Sequence, residues 1–96
     1  MVSKVIKAWA SWCGPCRTYT PIFERVSQME DFKDIEFEAL DIEDEENDGI
    51  IGKYKIMGVP TTIVLDEDGG IIDKKSGLIM ESTLVEWLNN LIKEKK

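Results

Sequence analysis

Trp12-Cys13-Gly14-Pro15-Cys16 decides how this chain is read, because it holds both of its cysteines. Two thiols at this spacing can close a small disulfide ring, and the glycine and proline between them suit the turn where a strand passes into a helix. With a helix starting just after Cys13, that sulfur lies at the positive end of the helix dipole, where unpaired first-turn amides favour a thiolate. The pKa of such a cysteine falls below the free value, into a range of roughly 3.5 to 7.5. Cys13 is therefore expected to be the accessible nucleophile. Cys16, one turn inside the helix and on its core side, is expected to be shielded and to attack a mixed disulfide formed at Cys13.

Two plainer readings compete with a redox dithiol. Zinc normally takes four ligands, and the chain has no histidine and no further cysteine, so a site within one chain is disfavoured, although two chains could share one. Inert core thiols fit poorly, because Cys13 stands beside Gly14 and Pro15 at an element boundary and not inside an apolar period.

Working outward, residues 4 to 10, Lys4-Val5-Ile6-Lys7-Ala8-Trp9-Ala10, form a largely apolar run that predicts a central strand leading into the cysteine turn. From Pro15 to about Asp31, Tyr19, Ile22, Phe23, Val26 and Met29 recur at helical spacing and predict an amphipathic helix. Pro21 inside it removes an amide, and a kink is expected there. Ile35 to Ile42 alternates in part and predicts a strand nearer the sheet edge, joined to the first by a right-handed parallel crossover. The acidic run Glu43-Asp44-Glu45-Glu46-Asn47-Asp48 reads as a solvated loop or helix start, a metal site being the lesser reading. A short helix through Ile50, Ile51 and Tyr54, weakened by Gly49 and Gly52, should follow it.

Thr61 to Leu65 and Ile71 to Lys75, separated by Asp66-Glu67-Asp68-Gly69-Gly70, predict an antiparallel hairpin. The last helix, from about Ser82 to Lys93, places Leu84, Trp87, Leu88, Leu91 and Ile92 on one face, and this face is expected to be core. Lys93, Lys95 and Lys96 suit the negative end of its dipole.

Ninety-six residues are enough for one core, and residues 1–96 are expected to be a single domain. The net charge of −7 argues against non-specific nucleic-acid binding, which needs basic surface. No apolar run approaches a transmembrane span, so no membrane association is expected. Lys4 and Lys7 interrupt the N-terminal stretch where a signal peptide needs an unbroken apolar core, which makes a reducing cytoplasm the expected compartment.

The five-residue stretch, preceded by Ala10 and Ser11, followed by Arg17, and accompanied downstream by Val59-Pro60-Thr61, resembles the thioredoxin family. That resemblance implies an α/β fold of the thioredoxin type, a mixed four-stranded sheet in the order β-α-β-α-β-β-α flanked by helices. Most thioredoxins begin with a further strand and helix, so the chain resembles a minimal thioredoxin, close in size to a glutaredoxin. The resemblance implies a thiol-disulfide oxidoreductase that reduces protein disulfides and acts as a monomer. Its cofactor is none beyond the redox-active pair Cys13-Cys16, its partners are disulfide-containing clients, and its electron donor is a thioredoxin reductase. Consistent with an external donor, the sequence has no Gly-rich dinucleotide motif. The turn Trp12, Gly14 and Pro15 carries the dithiol. Trp12 and Val59 form an apolar rim, and a cis bond before Pro60 leaves the Val59 backbone free to pair with a client.

Two alternatives remain beside it. One is a glutathione-using enzyme of the glutaredoxin kind; the other is a binding or assembly subunit that uses the fold for docking. Lys7 departs from the family, which usually has a buried aspartate there. Strand alternation puts Lys7 beneath the active-site helix. Either its stem packs while the ammonium reaches water or a carboxylate, or the ammonium stays near the sulfurs and favours thiolate over thiol.

Overall fold

The structure, a computed structural model, describes residues 1–94. Strands β1 (Val2–Trp9), β2 (Glu36–Asp41), β3 (Thr61–Asp66) and β4 (Ile71–Ser76) form one sheet in the order β2-β1-β3-β4. Helices α1 (Gly14–Ser27), α2 (Asp48–Lys53) and α3 (Glu81–Glu94) cover it. Strand β1 runs parallel to β2 and antiparallel to β3, and β3 pairs antiparallel with β4. This is the predicted mixed sheet, with the strand that enters the cysteine turn at its centre.

Alternation along β1 sorts its side chains between two layers. Val5 joins Tyr19, Phe23 and Val26 of α1 and Leu84 and Leu88 of α3 in the larger core. Ile6 points to the opposite face and packs with Leu40, Tyr54, Ile63 and Leu65, next to α2. Because β1 is covered on both faces, the positions just beyond its C-terminal end are held by rigid neighbours on each side.

Several boundaries differ from the sequence expectation. Helix α1 ends at Ser27 instead of about Asp31, because Met29 turns extended (φ −73°, ψ 143°) and the chain drops Phe32 fully into the core through a 3-10 turn at Glu30–Phe32. Pro21 lies inside α1, so the Arg17 carbonyl has no amide partner from residue 21. Another 3-10 turn at Glu45–Asn47 precedes α2. In α3, Leu84, Trp87, Leu88 and Leu91 are buried, whereas Ile92 is 38% exposed, one step around the helix from the face that meets the sheet. Trp87 is core, as its spacing predicted, and its indole donates to Asp73 at 2.8 Å. Lys95 and Lys96 lie outside the described residues.

The hairpin β3–β4 turns at Asp66, whose carboxylate accepts from the amides of Asp68 and Gly70 at 2.9 and 2.8 Å. Gly69 has φ +83°, a left-handed conformation that glycine adopts without a side-chain clash. No described helix is long and apolar enough to cross a membrane.

Candidate active site

Four residues separate the end of β1 from the start of α1, and they hold the first cysteine. Cys13 is the N-cap of α1, with extended backbone angles (φ −92°, ψ 110°). Its amide closes a turn onto the Ala10 carbonyl at 3.2 Å, and its sulfur accepts from the Cys16 amide at 3.1 Å. The sulfur thus takes the place that a serine or aspartate oxygen usually occupies at a helix start. Gly14 and Pro15 fill the first helical positions, where the missing proline amide leaves no hydrogen bond unmade.

Cys13 and Cys16 are joined in a disulfide with Cα atoms 5.3 Å apart. Both residues are buried, Cys13 at 4% and Cys16 at 2% exposure. The expected contrast between an accessible Cys13 and a shielded Cys16 is therefore absent in this oxidised form. The reason is packing: bonded to each other, the pair forms one cluster with Ala10, against which Trp9, Ile42 and Val59 are packed. Trp12, by contrast, is 66% exposed and stands at the mouth of the turn.

Val59 approaches the cysteines from the loop before β3, and the Val59–Pro60 bond is cis. This loop is tied at both ends. Thr61 Oγ1 donates to the Gly58 carbonyl at 2.6 Å, and the Gly77 amide donates to the Pro60 carbonyl at 2.8 Å.

Two further contacts were not legible in the motif. Glu43 Oε1 accepts from both the amide and the hydroxyl of Ser11, at 3.1 and 2.7 Å, and these bonds hold its carboxyl below the usual range. Arg17 Nη2 donates to the Ser11 carbonyl at 3.2 Å, so the residue before Trp12 is gripped from both sides.

Lys7 reaches beneath α1 and is 3% exposed. Its ammonium donates to Thr20 Oγ1 at 2.7 Å, and Thr20 Oγ1 lies 2.9 Å from the Cys16 carbonyl. The structure thus packs Val59 against the Cys13–Cys16 pair, which the turn of Trp12, Gly14 and Pro15 carries, and links Lys7 to Cys16 through Thr20. Thr20 was missed because a threonine four residues after Cys16 looks like an ordinary helix-surface residue. Among the described residues no group of three or more His, Cys, Asp or Glu is arranged to hold a metal ion.

Residues 2–90 match the family model described as Thioredoxin. The chain belongs to the thioredoxin family. It is 40% identical over 90 residues to a thioredoxin of Rickettsia bellii, spanning 92% of this chain and 80% of that one. A thioredoxin of Mycoplasmoides gallisepticum is 42% identical over 84 residues, covering 88% and 79% of the two chains. Among solved structures, thioredoxin from Malassezia sympodialis superposes with a TM-score of 0.79 at 29% identity, covering 91% of this chain and 72% of that one. As a thioredoxin, the protein is a thiol-disulfide oxidoreductase of the disulfide-reductase type.

Proposed function

We propose that this thioredoxin reduces the disulfides of client proteins, with Cys13 as nucleophile and Cys16 as resolving thiol. The observation that supports the assignment best is the N-cap position of Cys13, with the Cys16 amide 3.1 Å from its sulfur. On reduction, that amide and the positive end of the helix favour negative charge on the Cys13 sulfur.

The Cys13 thiolate attacks one sulfur of the client disulfide. The client's sulfur–sulfur bond breaks, and its second sulfur leaves as a thiolate that takes a proton from water. Cys16 then loses its proton and attacks the sulfur of Cys13, expelling the client's first sulfur and closing the Cys13–Cys16 disulfide. Two electrons pass to the client, and the enzyme is left in the form the structure holds.

Trp12, 66% exposed, supplies an apolar surface for the client, and Val59 supplies a backbone amide and carbonyl beside the cysteines. Pro60 donates nothing, so an extended segment pairs with Val59 alone at this point. Because each turnover consumes the dithiol, two electrons must return from outside, and a thioredoxin reductase is the donor that the family membership favours. A reducing cytoplasm suits that cycle. The reading needs no second copy and treats residues 1–96 as one domain.

Insulin reduction tests it. Turnover with NADPH and a thioredoxin reductase, abolished in Cys13→Ser, is the expected result. Turnover with glutathione alone contradicts the donor, and cellular function retained by the Cys13→Ser, Cys16→Ser double variant contradicts the redox reading in favour of a docking role.

A further inference from the structure

Lys7 is the buried charged residue of the described chain, and the thiol exchange as written above does not use it. An ammonium has three donors and no acceptor, so Thr20 Oγ1 must be the acceptor of the 2.7 Å bond from Lys7. Its single proton is then directed at the Cys16 carbonyl, 2.9 Å away. Lys7 and Thr20 are therefore successive donors in a chain that runs from a positive charge to the carbonyl of Cys16, the residue that carries the resolving sulfur. Along one wall lies a cavity of about 280 Å³ lined by Lys7, Trp9, Thr20, Glu24 and Ala39.

We propose that Lys7, acting through Thr20, is a positioning residue of the redox couple: it holds a positive charge under Cys16 and so favours the Cys16 thiolate and the reduced form. This inference rests on the dithiol chemistry assigned to Cys13 and Cys16. When a donor thiolate attacks Cys13, the Cys13–Cys16 bond breaks and its electron pair goes to Cys16. The negative charge appears on the residue whose carbonyl ends the Lys7–Thr20 chain, and the ammonium stabilises it through that chain. In the client half of the cycle the same charge raises the fraction of Cys16 that is deprotonated and ready to attack, while making that sulfur a somewhat weaker nucleophile.

The other groups around Lys7 leave this charge in place. From α1 come the Glu24 carboxylate, which raises the Lys7 pKa, the Phe23 ring 5.4 Å from the ammonium, and the Tyr19 phenol, which burial pushes up to about 12 and which is neutral at working pH. From β2 comes Ala39, and from β3 comes Thr62, opposite Lys7 in the sheet and bonded to Tyr19. Burial lowers the Lys7 pKa and outweighs Glu24. No second cation is among these neighbours, so removing Lys7 removes the positive charge at this place.

An opposite charge within a few ångströms moves a titration by roughly 1 to 3 units, and one acting through a hydroxyl and a peptide belongs at the low end, about tenfold in thiolate population. The test is the redox equilibrium of the whole protein with glutathione, followed from pH 6 to 9. Lys7→Met should shift the equilibrium toward the disulfide by about tenfold at the alkaline end, equivalent to about 30 mV, and by little at the acid end where Cys16 is protonated. Thr20→Val should move it in the same direction and Thr20→Ser should restore it. A second measurement needs no variant: with ¹³C-labelled lysine, the Lys7 Cε resonance should titrate at higher pH in the reduced protein than in the oxidised one, because the coupling is reciprocal. Identical pH profiles for parent, Lys7→Met and Thr20→Val overturn the proposal, as does a Lys7 titration unchanged by reduction. A Lys7-dependent equilibrium in a protein inert toward insulin supports it while refuting the client reading.

Discussion

The amide of Cys16 donates to the sulfur of Cys13 across 3.1 Å, so α1 is capped at its N-terminus by the residue proposed above as nucleophile. The bond is a preference for charge at one sulfur and not the other. After reduction, iodoacetamide at neutral pH should label Cys13 about tenfold faster than Cys16 or more, the factor given by one unit of pKa difference. Peptide mapping by mass spectrometry reads the ratio, and faster labelling of Cys16 reverses the roles. Burial of Cys13 in the disulfide makes the reduced protein the form to test.

Tyr19 and Thr62 share a buried hydrogen bond of 2.8 Å between α1 and β3. Tyr19→Phe strands the Thr62 hydroxyl without that partner and should cost about 1 to 3 kcal/mol in urea unfolding, while adding Thr62→Val should recover part of the loss. The same pair predicts a pH limb. Burial raises the Tyr19 pKa from 10.0 to about 12, so its contribution is complete below the unfolded value and is lost as pH rises through the folded one. Stability of the parent should therefore fall between about pH 10 and 12 more steeply than that of Tyr19→Phe, by at most 2 to 3 kcal/mol on the scale of about 1.4 kcal/mol per unit.

Glu43 fixes the residue that precedes Trp12. Its pKa is lowered from 4.5 by the Ser11 hydroxyl and then the Ser11 amide, so the clamp is complete above the unfolded value and is lost as pH falls through the folded one. Hydrogen exchange at the Ser11 amide should show protection that weakens only below about pH 4.5, after correction for intrinsic exchange. In Glu43→Gln the amide should exchange faster at neutral pH and lose this acid step. An unchanged Ser11 profile in the variant shows that the turn holds itself.

How much of this was legible in the sequence varies with the range of the interaction. The strand before Cys13, the helix after it and the hairpin after Pro60 are local patterns and were legible as elements. Phe32 defeats the helix boundary because burying a whole aromatic ring outweighs the continuation of one more helical turn. Lys7 could be placed under α1 by strand alternation. Its partner could not be found, since Thr20 becomes a partner only once the helix is laid across β1. Glu43 was hidden in an acidic run whose ordinary reading is solvation, and only the return of β2 alongside β1 brings it to Ser11. The pairing of two cysteines also conceals each of them from solvent, which a spacing pattern does not reveal.

Trapping with a disulfide-bonded client tests the central claim most directly. In Cys16→Ser, the step that releases the client is removed while the attacking sulfur and the helix start are kept. Mixing this variant with a peptide disulfide should accumulate a stable mixed disulfide at Cys13, seen by mass spectrometry and absent in Cys13→Ser. A mixed disulfide that builds up on Cys16 in the Cys13→Ser variant, with none on Cys13 in Cys16→Ser, contradicts the account.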